Sequence, residues 1–221
     1  MTARELGRRL SAHIWLKSIG STVVISLFFV AYFTVLNHPV FAVYEMPFTV
    51  VDAWMPVVPF SVWIYFSLWV YICLPSALMN TRALLGAYLA GATVLSGVAL
   101  FIFFYFPTAV PAWPMDWEQY PAMAFLKSSD ASGNACPSLH VGFAVFSARW
   151  LQVMLKRLRF GPSWHVINWI WCLAIVLSTM TTRQHVFLDV VFGSALGYIV
   201  AALNLRFTSN ETLPRTAVLQ P

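Results

Sequence analysis

The chain has 221 residues, of which 60% are hydrophobic and only 10% are charged, and its mean hydropathy is +0.74. Soluble domains are about 45–50% apolar and about 25% charged, so this composition excludes a soluble globular protein and predicts an integral membrane protein. The formal net charge of +5 is therefore interpreted as a sign of orientation in the membrane, and we expect no nucleic-acid partner.

Six hydrophobic runs are long enough to cross a bilayer core of about 30 Å at a rise of about 1.5 Å per residue. They predict an all-α fold, a bundle of six transmembrane helices. The fifth and sixth runs almost touch, which predicts a tight turn between them. The six predicted spans are Ser18–Leu36, Val57–Leu78, Leu84–Phe106, Ser138–Leu155, Trp164–Met180 and His185–Leu205.

The regions outside the spans are short. A polar flank, residues 1–17, precedes the first run, which has no small-residue cleavage site after it, so we interpret that run as a permanent span rather than a signal peptide. The membrane domain is predicted over residues 18–206 and a polar tail over residues 207–221. Asp52 lies just before the second span; we favour a cap of that span over the alternative that Asp52 lines the substrate entrance.

The lysine and arginine residues fall mainly on one side of this topology. With the N-terminus inside, the inner segments hold 11 of the 13 lysine and arginine residues, and the outer segments hold the other 2, Lys127 and Arg183. Because positive charges favour the cytoplasmic side, both termini are predicted to be cytoplasmic. The inner residues are Arg4, Arg8, Arg9, Lys17, Arg82, Arg149, Lys156, Arg157, Arg159, Arg206 and Arg215.

The sixth span is predicted to begin with His185, and Asp189 follows four residues later. On a helix this spacing places both side chains on one face. A carboxylate bonded to one ring nitrogen fixes the tautomer and makes the other nitrogen a better base or nucleophile. A buried pair that only holds helices together is an equally good alternative for these two residues alone.

The fourth span begins with a Pro-Ser-Leu-His run that ends at His140, also at the predicted outer end. The free N–H groups of a helix start, including that of Leu139, form an anion site together with the Ser138 hydroxyl. An interfacial histidine on a capped helix is the simpler alternative. With His185 and Asp189 on the same face, however, the combination favours phosphoryl transfer, which depends on positioning and on neutralising phosphate charge.

These two stretches resemble the second and third signatures of the type-2 phosphatidic acid phosphatase superfamily. The second is usually Pro-Ser-Gly-His, and the third is Ser-Arg, five residues, His, three residues, Asp. The resemblance implies a six-helix bundle in which His185 attacks phosphorus, Asp189 orients that histidine and His140 protonates the leaving oxygen. It also implies a phosphohistidine intermediate that passes to water or to an acceptor alcohol, without a metal or other cofactor.

Three departures from the family pattern affect the phosphate-binding residues. Leu139 stands where the family has glycine, and Thr179 stands where the third signature has arginine, while Arg183 appears two residues before the histidine. The first signature, Lys, six residues, Arg-Pro, is absent. Arg82 is predicted on the opposite side, so Lys127 in the outer loop is the better phosphate ligand, with a solvated loop lysine as its alternative. The expected phosphate-binding residues are Ser138, Leu139, Arg183 and Lys127.

The run from Ser178 to His185 is similar to the branch that contains inositol phosphorylceramide synthases and their bacterial relatives. We expect an enzyme of a bacterial inner membrane, and the lysine and arginine count predicts that its site faces the periplasm or exterior. We favour a lipid-phosphate phosphatase, because no acceptor site is evident in the sequence; a headgroup phosphotransferase is the alternative with the same chemistry. Expected substrates are phosphatidic acid, phosphatidylglycerol phosphate, lysophospholipid phosphates or polyprenyl pyrophosphates.

Two alternatives come from other functional classes. A proton-coupled transporter would use His185 and Asp189 as a proton relay, since intramembrane histidine and carboxylate groups are typical of such relays. A structural membrane protein would carry the same residues as an inactive site. The sequence does not indicate an oligomeric state.

Overall fold

A computed structural model describes residues 2–129 and 132–208, and its regular structure is almost entirely helical. Two short strands, β1 (Tyr44–Glu45) and β2 (Thr108–Ala109), pair in parallel. The helices are α1 (Ala3–Ser11), α2 (Ser21–Asn37), α3 (Val50–Trp54), α4 (Val62–Phe66), α5 (Leu68–Tyr71), α6 (Leu74–Leu78), α7 (Arg82–Tyr105), α8 (Pro121–Ser129), α9 (Leu139–Arg157), α10 (Pro162–Thr181) and α11 (Phe187–Thr208).

Within the described residues, five helical segments are long and apolar enough to cross a membrane, which fits an integral membrane protein. They correspond to five of the six predicted spans. The remaining one contains α9, whose polar residues include His140, Arg149 and Gln152, so the count of six spans stays a prediction. The five segments are Leu16–Asn37, Pro59–Leu78, Arg82–Tyr105, Pro162–Thr181 and Phe187–Thr208.

The first two of these segments are not single regular α-helices. A π-helical turn, Leu16–Gly20, leads into α2. The second segment is a chain of short helices, a 3-10 turn at Pro59–Ser61 followed by α4, α5 and α6. Proline lies in the first turn of the 3-10 helix and of α6, where its missing N–H removes no helical hydrogen bond.

Helix α9 lies at the centre of the bundle and packs against α7, α10 and α11. Its Phe146 and Trp150 side chains are fully buried. The Trp150 indole donates to the Asn204 side chain at 3.0 Å, which joins α9 to α11. The helix that carries His140 is therefore anchored on several sides by other helices of the bundle.

Helices α9 and α11 approach so closely that their backbones touch at two glycines. A Cβ at Gly193 would overlap the Ser138 carbonyl, and one at Gly197 would overlap the carbonyl of Gly142. The two glycines form a Gly-x-x-x-Gly motif, which permits close helix contact in membranes. This contact brings the starts of α9 and α11 together at one end of the bundle.

Basic residues lie at the other end. The Lys17 ammonium donates to the Ala77 carbonyl at 3.0 Å, and Arg9 donates to the Leu78 carbonyl at 3.2 Å. The start of the first span and the end of the second span therefore meet there. Which side of the membrane each end faces stays a prediction. The last helix continues two residues beyond the predicted domain boundary, and the rest of the predicted tail, residues 209–221, lies outside the described residues.

Candidate active site

The two candidate histidines are adjacent. His140 lies in the first turn of α9, and His185 lies in the turn between α10 and α11. The His185 Nε2 and His140 Nδ1 atoms are 3.4 Å apart, and the ring centroids are separated by 5.6 Å. The prediction that both lie at the same end of the bundle is therefore confirmed, although they are 45 residues apart in the chain.

His185 pairs with Asp189 as the sequence predicted. Its Nδ1 atom lies 2.8 Å from Asp189 Oδ2, and the carboxylate is completely buried. The other carboxylate oxygen, Oδ1, accepts the Val186 N–H at 2.9 Å and so caps α11. A carboxylate on Nδ1 favours the tautomer in which Nε2 carries the lone pair, and that lone pair faces His140.

The predicted reason for the pairing was wrong in one respect. His185 is not on the helix, because α11 begins at Phe187. A tight turn holds the histidine instead: Arg183 adopts a positive φ of 56°, and the N–H groups of Gln184 and His185 both donate to the Thr179 carbonyl, at 3.0 and 3.1 Å. The tight turn that was expected between the fifth and sixth spans is therefore present, and it orients the imidazole toward Asp189.

The helix start at Ser138 is held in place by polar contacts. The Ser138 hydroxyl accepts the Val141 N–H at 3.3 Å, and its own N–H donates to the Asp189 carbonyl at 3.0 Å. A hydroxyl that accepts one bond still has its proton to donate. Leu139 is almost fully buried and lines a cavity beside His140. Phosphate binding by these two residues stays a prediction, and Leu139 would use its backbone N–H.

The two basic candidates lie beside the histidine turn. The Lys127 ammonium donates to the Arg183 carbonyl at 2.6 Å and to the Gln184 side chain at 2.9 Å, and it lies over the Trp117 ring. The structure thus places Lys127 against the turn that carries His185. Phosphate binding by Lys127 stays a prediction.

The Arg183 guanidinium is directed toward a neighbouring loop. It donates to the carbonyls of Asp52 and Met55 and stacks on Trp113, with 3.7 Å from the guanidinium carbon to the ring centroid. Burial lowers the pKa of Arg183, and the nearby Asp52 carboxylate opposes that effect. These contacts give Arg183 a structural role, while its expected role in phosphate binding stays a prediction.

Tyr65 of α4 is a site residue that sequence reasoning missed. Its hydroxyl lies 2.7 Å from His140 Nε2, and the two rings are stacked at an angle, with centroids 4.7 Å apart. Each nitrogen of His140 therefore has a partner, Tyr65 on one side and His185 on the other. An aromatic residue in an apolar run is usually a packing residue, so the sequence gives no signal for this contact.

Asp52 has a second role that the sequence did not indicate. Its Oδ2 atom accepts the N–H and hydroxyl of Thr49 in a capping box at α3, whereas the sequence predicted a cap of the second span. Its Oδ1 atom accepts the Phe187 N–H at 2.7 Å, at the start of α11. The buried Asp52 carboxylate thus joins the loop before the second span to the helix that carries Asp189.

An apolar cavity of about 970 Å³ opens onto the histidines, and we call it the apolar groove. It runs between α2, the second span and α7. His140, His185 and Tyr65 line one end, and Lys17 and Arg82 line the other. The volume is at the upper end of the range for small-molecule sites, about 300–1,000 Å³. A phosphate held at the histidines can therefore be attached to a large apolar group.

Cys136 lies just before α9, close to the site. Burial raises the pKa of its thiol to about 11, and the negative charge of Asp189 adds to this effect. The thiol is therefore protonated at neutral pH and does not compete with His185 as a nucleophile. Among residues 2–129 and 132–208, no group of three histidine, cysteine, aspartate or glutamate side chains is placed to hold a metal ion.

Fold and site together describe a helical protein with membrane-spanning character and a buried histidine–aspartate pair beside a second histidine. The sequence profile of the PAP2 superfamily matches residues 83–213, more than half of the chain, and the chain belongs to this superfamily. No curated protein and no solved structure gives a significant match. Membership confirms the predicted superfamily and indicates a phosphatase or phosphotransferase. The narrower similarity to inositol phosphorylceramide synthases stays a prediction.

Proposed function

We propose that the protein is a metal-independent lipid-phosphate phosphatase that works through a phosphohistidine intermediate at the extracytoplasmic face of the membrane. One observation carries the proposal: a row of polar contacts runs from Tyr65 through His140 and His185 to Asp189. Tyr65, His140 and His185 line one end of the apolar groove. Such a row suits a reaction that needs a nucleophile and a proton donor at one phosphorus atom.

In the first step, the Nε2 lone pair of His185 attacks phosphorus, and the bond between phosphorus and the lipid oxygen breaks. Asp189 accepts the hydrogen bond from Nδ1–H and stabilises the positive charge that develops on the ring. His140 gives a proton to the lipid oxygen as it leaves. The products of this step are the free lipid alcohol and a phosphoryl group on His185.

In the second step, a water molecule attacks the phosphoryl group, and His140 takes a proton from that water. Inorganic phosphate leaves, and the Nε2 lone pair of His185 is restored. If an acceptor alcohol attacks in place of water, it receives the phosphoryl group from His185, which is the phosphotransferase alternative. The two outcomes differ only in what occupies the position beside His140 after the first step.

Substrate entry requires the His140 ring to move. A separation of 3.4 Å between the two histidine nitrogens leaves no room for a phosphoryl group between them. Catalytic hydrogen bonds often rearrange when substrate binds, and Tyr65 can retain its bond to Nε2 while the ring tilts. Lys127 and the N–H groups at the start of α9 are the nearest candidates to neutralise the phosphate charge.

The charge distribution supports an extracytoplasmic site. Of the 13 lysine and arginine residues, 11 belong to segments at the predicted inner side, and the histidines lie at the opposite end of the bundle from Lys17 and Arg82. Membrane-impermeant maleimide tests this in cells that express a protein whose native cysteines have been replaced. His38→Cys near the histidine end should react, and Gly161→Cys at the other end should react only after permeabilisation. Labelling in the reverse pattern would contradict the orientation.

The reaction is tested by phosphate release from a panel of lipid phosphates by purified protein in the presence of EDTA. Wild type should release phosphate. His185→Gln and His140→Gln should each lower kcat at least about a hundredfold, which is the smallest effect typical of removing an acid–base group. His38→Gln is a matched control, because His38 is an exposed histidine outside the site. Near-full turnover by His185→Gln would rule out the mechanism.

Two added measurements separate the alternatives. Inositol or ceramide-type acceptors should not change the ratio of lipid alcohol to phosphate released if the enzyme is a phosphatase; an acceptor-dependent product would establish transfer. A proton-coupled transporter would instead acidify the lumen of proteoliposomes in response to a solute gradient and release no phosphate. An inactive structural protein would do neither.

A further inference from the structure

The apolar groove is much longer than the histidine site requires. Its lining on α7 extends from Arg82 to Leu100, and its lining on the first span extends from Leu16 to Phe33. At about 1.5 Å per residue, each wall is about 26 Å long. This length approaches the full hydrocarbon thickness of a bilayer, about 30 Å.

The level of the histidines along the groove follows from the packing of α9 on α7. Tyr88 bonds Ser147 at 3.0 Å, while Leu95 lies beside Gly142, so the two helices run antiparallel. Extending this register by two residues places His140 near the level of Gly97. From that level to Arg82 the groove descends about 22 Å, whereas one leaflet of hydrocarbon is about 15 Å deep.

Hydrophobic burial does not explain such a depth. A lipid tail in the bilayer is already out of water, so moving it into an apolar groove yields little hydrophobic free energy. What the walls of the groove can do is limit its length, because a side chain that closes the groove excludes any chain that must pass it. A groove that ends at Lys17 and Arg82 therefore selects chains by steric fit rather than by affinity.

We propose that the apolar groove holds the hydrocarbon chain of the substrate inside the protein, past the bilayer midplane, and that the end of the groove at Lys17 and Arg82 sets the longest chain accepted. This inference rests on the proposed function, since it assigns the tail of the lipid phosphate whose headgroup lies at His140 and His185. The favoured substrates are lipid phosphates with a chain longer than one leaflet. Lipids with shorter chains would fill only the upper part of the groove.

Two positions on α7, Gly86 and Thr93, allow the limit on chain length to be tested. A Cβ at Gly86 would meet no atom within 4 Å, so a larger side chain there enters the groove without displacing the protein. Thr93 also lines the groove, seven residues closer to the histidines. Val94 is the matched control, because it lies on the same helix, is 53% exposed and does not line the groove.

The assay is kcat/KM for phosphate release from geranyl, farnesyl and geranylgeranyl phosphate, which share one headgroup and differ in chain length. Gly86→Trp should lower kcat/KM at least tenfold for the longest substrate and less than twofold for the shortest. Thr93 lies about 6 Å below the level of His140, so Thr93→Trp should extend the loss to both shorter substrates, and Val94→Trp should leave the chain-length profile unchanged. An unchanged profile in Gly86→Trp would overturn the inference.

A second measurement keeps this result separate from the proposed function. A non-hydrolysable geranylgeranyl phosphonate with a diazirine at the end of its chain is photolysed with wild-type protein, and the adducts are mapped by mass spectrometry. Adducts near Ser76, Gly86 and Leu89 are expected even if the protein releases no phosphate. Adducts confined to the outward positions Val94 and Val98 would overturn the inference, whereas absent turnover with groove adducts would overturn only the phosphatase proposal.

Discussion

Replacing Asp189 by asparagine should inactivate the enzyme without unfolding it. In the wild type, Oδ2 accepts from His185 Nδ1 at 2.8 Å, and Oδ1 accepts from the Val186 N–H at 2.9 Å. Asparagine has one oxygen and one NH₂ group, so the oxygen can keep the Val186 bond, and the NH₂ group then faces His185. An NH₂ group donates, and Nδ1 must therefore accept, which moves the ring proton to Nε2 and removes the nucleophilic lone pair.

The size of the expected loss follows from the tautomer argument. The corresponding aspartate-to-asparagine change in a serine protease triad lowers kcat by about 10⁴, with the geometry intact. We therefore expect kcat to fall by roughly 10³–10⁴, which corresponds to about 4–5.5 kcal/mol of transition-state stabilisation. The free energy of unfolding should change by less than about 1 kcal/mol, or about 4 °C in Tm, because both hydrogen bonds keep a partner.

The assay measures phosphate release and thermal unfolding on the same purified preparations. Asp189→Ala is the contrasting variant, because it leaves the buried Val186 N–H without an acceptor and should cost about 1–3 kcal/mol in stability as well as activity. Asp116→Asn is the control, since Asp116 lies in an exposed loop. If Asp189→Asn kept activity within tenfold of wild type, the pair would be structural and the role given to His185 would be refuted.

Three further changes probe the surroundings of the histidines. Tyr65→Phe should lower kcat by roughly three- to tenfold with little change in KM, because one hydrogen bond of about 0.5–1.5 kcal/mol to His140 is lost. Steady-state kinetics over a pH range should also show a shifted pH profile of kcat. Gly193→Ala should lower stability by about 1–3 kcal/mol in thermal melts, because its Cβ overlaps the Ser138 carbonyl. Cys136, with a pKa raised to about 11, should react with iodoacetamide at a rate that rises about tenfold per pH unit from pH 7 to 10 in a protein whose other cysteines are serine.

Each of these predictions has its own control. Tyr44→Phe removes an exposed tyrosine hydroxyl and should change neither kcat nor the pH profile. Gly86→Ala is the control for the glycine contact, because a Cβ there meets no atom within 4 Å. A Tyr65→Phe enzyme with wild-type kinetics, a Gly193→Ala protein with unchanged Tm, or a Cys136 labelling rate that levels off near pH 8 would contradict the corresponding argument.

The sequence predicted the helices well wherever hydrophobicity alone determines them. The third span was predicted at Leu84–Phe106 and is observed at Arg82–Tyr105, because the polar cap Thr81 marks the start of the apolar run. The second span was predicted as one helix, yet it is broken into short helices, since hydropathy reports depth in the membrane but not local backbone geometry. The close contact at Gly193 has a signal in the sequence, the Gly-x-x-x-Gly spacing of Gly193 and Gly197.

The site was predictable to the extent that its residues belong to motifs. His140, His185 and Asp189 are in contact as expected, although the turn rather than helical spacing brings the last two together. Tyr65 was not predictable, because its contact depends on how α4 packs on α9, and hydrophobic periodicity does not encode the rotation of one helix against another. The groove was unpredictable for the same reason, since a space between helices depends on side chains from three separate segments.

The superfamily match begins at residue 83, so some residues of the site lie inside it and others lie before it. The superfamily match begins with α7 and covers α9 to α11, which supply both histidines, Asp189 and the glycine contact that aligns them. Tyr65, Asp52 and the first span precede the match, and they supply the contact to His140 Nε2, a cap of α11 and one whole wall of the groove. A change at His140, His185 or Asp189 should therefore alter the rate toward every substrate. A change along the groove, in the first span or at Gly86 and Thr93 of α7, should instead alter which chain is accepted, because these positions line the groove away from the histidines.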